Sequence, residues 1–162
     1  KSFIQELQEY PNLVVLQTLS KAWGLAGLRL GMAFASKEII GILDKVKPPY
    51  NINTATQELV LKALEEVGQV NDMIKIIVDM REALANVFRK MPTVEKVYPS
   101  DANFLLVKIA DAKAVYDFLL TRQIVVRDRS SVELCENCLR ITIGTEKENT
   151  LLVDAMQAWY NR

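Results

Sequence analysis

Two short apolar runs on either side of a glycine-containing loop constrain the first part of the chain. Residues 13–19 contain Leu-Val-Val-Leu without polar alternation, which is typical of a strand buried on both faces in a parallel sheet. A loop at 20–29 follows, and the apolar run at 30–35 predicts a second strand. Ser36 can then cap a helix that continues to about residue 45. This order of elements predicts an α/β fold.

Prolines and capping patterns divide the rest of the chain. Pro48 and Pro49 cannot lie inside a helix, so we predict a hinge there. A capping box at Thr54-Ala-Thr-Gln57 begins the helical part, and Pro92 ends it. Beyond Pro92 we predict strands at 94–97, 103–109, 124–127 and 139–143, with helices at 111–121 and 146–160. The predicted regions are therefore 1–48, 49–91 and 92–162.

Composition excludes several classes of function. The 162 residues carry 20 Lys+Arg and 20 Asp+Glu, and this zero net charge argues against nucleic acid or an anionic membrane as the main partner. No histidine is present, so acid-base chemistry falls to Lys, Asp, Glu, Tyr or Cys. Cys135 and Cys138 form a CxxC pair without further ligands, so we predict no metal site. Because no signal peptide or membrane-length apolar run is visible, the expected compartment is the cytoplasm.

The loop after the first predicted strand carries the residues best suited to chemistry. Lys21 follows the carboxyl end of a buried strand, where open α/β sheets place their ligands. A lysine that loses hydration there becomes a nucleophile for a carbonyl. Ser20 adds a hydroxyl, and Arg29 adds a guanidinium fork for a phosphate dianion. A site for a carbonyl and a phosphate suits pyridoxal phosphate, although Lys21 and Arg29 taken singly could also be solvated charges.

Taken as a whole, this segment resembles a known signature. Residues 18–31 read Thr-Leu-Ser-Lys-Ala-Trp-Gly-Leu-Ala-Gly-Leu-Arg-Leu-Gly. They resemble the Schiff-base signature of class I and II aminotransferases, in the form found in histidinol-phosphate aminotransferases. Segments 49–53, 99–104, 124–127 and 139–145 extend the resemblance over essentially the whole chain, in the family's order.

The resemblance implies a fold and a set of domains. The fold is the end of the large parallel-sheet domain of a fold type I pyridoxal-phosphate transferase, followed by its small α/β C-terminal domain. Residues 1–48 would be the C-terminal part of the large cofactor-binding domain, 49–91 linking helices, and 92–162 the small domain. The family's phosphate loop, ring-stacking aromatic and pyridine-nitrogen Asp lie upstream of the lysine and have no counterpart here. We therefore expect an incomplete chain that is inactive by itself.

The resemblance also implies roles for individual residues. Lys21 would be the catalytic lysine that forms the internal aldimine with pyridoxal 5'-phosphate, and Ser20 and Arg29 would hold the cofactor phosphate. Arg140 would bind the substrate carboxylate, and Arg127 matches a second arginine of the histidinol-phosphate branch. Read without the resemblance, Arg140 could equally lie on a solvated sheet face, and we interpret Arg129 as a solvated charge.

The implied reaction transfers the amino group of L-glutamate to imidazole acetol phosphate, and the family's enzymes are homodimers. Two alternatives stay open at this point. The chain could derive from a threonine-phosphate decarboxylase, which has similar motifs and also holds a phosphorylated substrate. It could also be an inactive isolated domain with residual anion-binding arginines.

Overall fold

A computed structural model describes residues 2–162 and divides the chain into two compact units. The first unit ends at Asp72, and the second is Met73–Arg162. Within the described part of the chain, no helix has the length and apolar character needed to cross a membrane. The predicted boundaries after residues 48 and 91 stay predictions.

The first unit contains a two-stranded sheet and helices. Strand β1, Val15–Thr18, pairs antiparallel with β2, Gly31–Phe34. The sheet is followed by α1, Lys37–Val46, and α2, Thr54–Glu65, while α3, Val67–Phe88, crosses into the second unit.

The surroundings of β1 differ from the prediction that both of its faces are buried. Among the described residues β2 is its only partner, and the pairing is antiparallel. Leu16 is consequently 77% exposed. The non-alternating apolar run identified a strand correctly, but residues 2–72 do not cover its faces.

Helix starts follow from side-chain acceptors at the caps. Ser36 caps α1 as predicted, because its hydroxyl accepts a hydrogen bond from the Ile39 N–H. The predicted capping box at Thr54 is wrong by one residue. Asn53 is the cap of α2, and its Oδ1 accepts from the Thr56 N–H at 2.8 Å.

The second unit is an antiparallel sheet with helices packed on one face. Its strand order is β3-β4-β6-β5. The strands are β3, Val94–Val97; β4, Phe104–Ile109; β5, Arg127–Asp128; and β6, Cys138–Thr142. The helices are α4, Ala112–Thr121, and α5, Glu146–Tyr160. The predicted capping box at the start of α5 is present, since Thr145 and Glu148 each bond the other's backbone N–H.

The hydrophobic core lies in this second unit. Alternate residues of β4 and β6 point into it, and Val107, Leu139 and Ile141 are at most 1% exposed. They pack with Phe88 of α3 and Met156 of α5. Each such fully buried side chain stabilises the fold by about 1.5–3 kcal/mol. In the first unit, by contrast, the described buried apolar side chains are Leu19, Val60 and Val70.

This difference in burial predicts unequal protection against hydrogen exchange. Amides of β4 and β6 should exchange slowly, because opening them exposes the core, whereas amides of β1 and β2 should exchange quickly. Hydrogen–deuterium exchange of the 162-residue chain, followed by peptide mass spectrometry, measures both sets in one sample. Equal protection of β1 and β4 would contradict this description of the core.

Candidate active site

The three residues predicted to bind a cofactor lie in one loop of the first unit. This loop joins the end of β1 to the start of β2, whose terminal residues Thr18 and Gly31 are register partners. The Thr18 hydroxyl donates to the Ser20 Oγ at 2.9 Å, and the Ser20 N–H donates to the Thr18 Oγ1 at 3.1 Å. Ser20 is thus held directly at the strand end.

Lys21 begins a tight turn within this loop. Its carbonyl accepts from the Gly24 N–H at 3.0 Å, and Gly24 has a φ of 66°, which a glycine adopts at low cost. The Lys21 side chain is exposed. The desolvation expected for this lysine is therefore not supplied by the residues packed around it in residues 2–72.

Arg29 closes the loop in a left-handed backbone conformation, with a φ of 52°. Its Nη1 donates to the Ala26 carbonyl at 3.1 Å, so one side of the guanidinium already has a partner. Arg29 as a whole is exposed. A non-glycine residue with positive φ is uncommon, and such strain is frequent at ligand sites.

The two predicted substrate arginines lie side by side on neighbouring strands of the second unit. Arg127 of β5 is the direct register partner of Arg140 of β6, so their side chains leave the sheet on the same face. Leu139 and Ile141 on either side of Arg140 are buried in the core, which places Arg140 on the opposite, helix-free face.

Aromatic and electrostatic contacts define the surroundings of Arg140. Its Cζ lies 4.8 Å from the centroid of the Phe104 ring, within the range of a cation–π contact. Its Nε is buried and has no hydrogen-bond partner among the described residues. Burial lowers the pKa of Arg140, and the charges of Arg127 and Arg129 lower this pKa further. Arg140 stays protonated at neutral pH, because an arginine pKa starts far above it.

Arg129 is not the fully solvated charge that we expected. It is half-buried, and the residues beside it are fixed by a turn. The Asp128 Oδ1 accepts from the Ser130 N–H at 2.9 Å and from the Ser130 hydroxyl at 2.6 Å. The hydroxyl bond is the main reason that the pKa of Asp128 lies below its ordinary value of 3.8, so the carboxylate is ionised at neutral pH.

Sequence reasoning missed a buried arginine that supports this face. Arg81 of α3 is 8% exposed, and its Nη1 donates to the Ala102 carbonyl at 3.0 Å. The Ser100 hydroxyl accepts from the Ala102 N–H and donates to the Phe104 carbonyl at 2.6 Å. These bonds fix the segment that ends at the Phe104 ring beneath Arg140. The sequence did contain a signal for this buried arginine. The spacing places Arg81 on the same apolar face of the helix as Ile77 and Leu84.

A cleft of about 450 Å³ also lies in the second unit, lined by residues of 123–126, 141–144 and 148–152. Neither predicted arginine lines it, and its walls are mostly aliphatic. Within residues 2–162 there is no group of three or more His, Cys, Asp or Glu side chains that could hold a metal ion. The residues predicted from the sequence lie in two places, the loop of Ser20, Lys21 and Arg29 and the sheet face of Arg127 and Arg140.

Comparison with known proteins identifies the family. Residues 1–156 match the family described as aminotransferase class I and II. The chain belongs to this family. It is 52% identical over 159 residues to a histidinol-phosphate aminotransferase of Cytophaga hutchinsonii, and the match covers 98% of this chain and 46% of that protein. The chain thus spans about half the length of the curated relatives it matches.

Solved aminotransferases have the same fold. The crystal structure of the histidinol-phosphate aminotransferase from Clostridium acetobutylicum superposes with a TM-score of 0.89 at 25% identity, over 99% of this chain and 49% of that one. A histidinol-phosphate aminotransferase from Sinorhizobium meliloti, solved in complex with pyridoxal-5'-phosphate, superposes with a TM-score of 0.79 at 23% identity. That match covers 96% of this chain and 44% of the other. The α/β fold of this chain is therefore that of part of a solved aminotransferase.

The turn at Asp128 generates a prediction about titration. Replacing Ser130 by Ala removes the largest cause of the lowered carboxyl pKa, so the pKa of Asp128 should rise toward 3.8. A carboxyl pKa that is lowered in the folded state stabilises the fold at pH values above the ordinary pKa. This stabilisation is lost as the pH falls through the folded-state pKa. The pKa can be read from an NMR titration of the Asp128 carboxyl carbon in the 162-residue chain.

The matched control for this titration is Ser131→Ala, which changes the neighbouring exposed serine and should leave the pKa of Asp128 unchanged. An unaltered titration in Ser130→Ala would show that the described turn does not form.

Proposed function

We propose that this chain is part of a pyridoxal-phosphate-dependent transaminase of histidine biosynthesis. The reaction converts imidazole acetol phosphate and L-glutamate to L-histidinol phosphate and 2-oxoglutarate. The main support is the similarity to histidinol-phosphate aminotransferases along almost the whole chain. The pair Arg127 and Arg140 adds support, since one face presents two guanidiniums to anionic substrates.

The loop at 20–29 fits the chemical groups of pyridoxal phosphate. It offers an amine at Lys21, a hydroxyl at Ser20 and a guanidinium at Arg29, and no acidic residue occurs between Glu9 and Glu38. A Cβ added at Gly24 or Gly27 would meet no atom within 4 Å, so the loop leaves open space beside its backbone. When bound, the cofactor supplies the electron sink for the bond changes at the substrate Cα.

Each loop residue has a distinct task in this proposal. The Lys21 Nζ would hold the cofactor aldehyde, and as a free amine it would take the proton from the substrate Cα and return it. Ser20 and Arg29 hold the phosphate through charge-assisted hydrogen bonds. The Ser20 hydroxyl is positioned for this by Thr18. A lysine base agrees with a chain that contains no histidine.

Arg127 and Arg140 orient the substrate. The same two guanidiniums would bind the phosphate of imidazole acetol phosphate in one half-reaction and the γ-carboxylate of L-glutamate in the other. Guanidinium forks suit both anions, because each can accept two parallel hydrogen bonds. The Phe104 ring limits the movement of Arg140 by covering one face of its guanidinium.

We also propose that the active enzyme is a cytoplasmic homodimer and that these 162 residues are inactive alone. The exposed Lys21 supports the second point, because a solvated ammonium is a poor nucleophile. Tyr50, which is 94% exposed between α1 and α2, supports a further protein surface near the hinge. The first point concerns the complete protein of which this chain is proposed to be a part, and the second concerns the 162 residues by themselves.

A substrate assay on that complete protein tests the proposed function. With pyridoxal phosphate bound, it should form 2-oxoglutarate from L-glutamate in the presence of imidazole acetol phosphate. Arg140→Gln removes charge-assisted hydrogen bonds worth about 1.5–3 kcal/mol each, so kcat/KM should fall about tenfold to a hundredfold or more. Arg89→Gln, which changes an exposed arginine bonded to Asn86, is the matched control.

Two results would contradict the proposal. Efficient transamination of aromatic keto acids without activity on imidazole acetol phosphate would assign a different substrate. Release of carbon dioxide from threonine phosphate would assign the decarboxylase reaction instead.

A further inference from the structure

Three arginines lie on the helix-free face of the sheet, and the function proposed above uses two of them. The third, Arg129, is placed there by backbone hydrogen bonding. Its N–H donates to the Cys138 carbonyl at 2.8 Å, which continues the pairing of β5 with β6 by one residue beyond Asp128 and Leu139. Because side chains alternate along a strand, Arg129 points to the same face as Arg127.

This placement makes Arg129 a diagonal neighbour of Arg140. Diagonal pairs in an antiparallel sheet are about 7–8 Å apart, which long side chains span. Asp128 lies between the two β5 arginines and leaves the sheet on the other side, where Lys113 of α4 is its electrostatic neighbour. The bonds from Ser130 to Asp128 fix the turn at this point, and the charge of the half-buried Arg129 acts on Arg140.

The three guanidiniums have no acidic partner in the part of the chain that the structure describes. Among the described residues, no carboxylate forms an ion pair with Arg127, Arg129 or Arg140. The Arg140 Nε is in addition buried without a hydrogen-bond partner. The charges of Arg127 and Arg129 act on Arg140, and this repulsion between like charges is relieved when an anion binds.

We infer that Arg129 is a third anion-binding residue, which favours the phosphate end of one substrate over the carboxylate end of the other. This inference rests on the proposed function. Coulomb energy scales with the product of the charges, so an added cation stabilises a dianion more than a monoanion at the same position. A phosphate monoester carries about −1.5 to −2 charges at pH 7, whereas a carboxylate carries about −1. Arg129 thereby determines specificity in a subsite that binds both anions in turn.

Kinetics of the complete protein test this role with two variants. In Arg129→Gln the KM for L-histidinol phosphate should rise about tenfold to a hundredfold, while the KM for L-glutamate should rise less than about threefold. Arg129→Lys keeps the charge but loses the planar fork, so it should give an intermediate rise. Arg89→Gln, at an exposed position directly after the end of α3, should change neither KM.

A second measurement separates this inference from the proposed function. Inorganic phosphate should inhibit conversion of L-glutamate to 2-oxoglutarate in single-turnover experiments, and its inhibition constant should rise in Arg129→Gln. If the wild type does not convert L-histidinol phosphate but inhibition by phosphate is weaker in Arg129→Gln, the proposed function is wrong and the anion-binding role of Arg129 is supported. Equal rises in both KM values, or no change in the phosphate inhibition constant, would overturn the role of Arg129.

Discussion

The alternation of side chains along β6 determines both the core of the second unit and the candidate anion site. Leu139 and Ile141 enter the core, and Arg140 between them must leave the sheet on the opposite face. Five register pairs with β4, from Phe104↔Thr142 to Lys108↔Cys138, hold this arrangement. A slip of one residue would bury a guanidinium and expose two aliphatic side chains, which is strongly unfavourable. The position of Arg140 is therefore set by the packing of Leu139 and Ile141 in the core. The orientation of a proposed anion-binding side chain thus depends on neighbours that point away from the anion.

The two units contribute differently to function. The second unit supplies a rigid face, because its core fixes the strands that carry Arg127 and Arg140 and because Arg81 ties α3 to the segment before Phe104. The first unit supplies reactive groups in one loop but little burial around them. The described residues of this unit leave Lys21, for which we propose the covalent role, exposed. In the proposed function, desolvation of Lys21 therefore comes from surroundings that residues 2–72 do not provide.

Much of this architecture could be predicted from the sequence, since periodicity and caps act locally. The helix after Ser36 and the capping box at Thr145 are present as predicted, and the strand at 94–97 agrees to the residue. Strand partners could not be predicted in the same way, because pairing is decided by tertiary contacts. The run at 13–19 looked like a strand of a parallel sheet, yet its described partner is antiparallel. The roles of Phe104 and Arg81 were missed for the same reason, since they follow from contacts across 36 and 21 residues, respectively. The strand pattern did predict that Arg140 leaves the sheet on the face opposite Leu139 and Ile141, whereas the substrate-binding roles of Arg127 and Arg140 stay predictions.

The central claim is that Lys21 carries the cofactor of this aminotransferase chain, and covalent trapping tests it most directly. The complete protein is incubated with pyridoxal phosphate, reduced with borohydride, digested and mapped by mass spectrometry. We expect one pyridoxyl-modified peptide, with the label on Lys21, and loss of that label in Lys21→Ala. Stoichiometric labelling of another lysine, or a label that persists at full yield in Lys21→Ala, would contradict it.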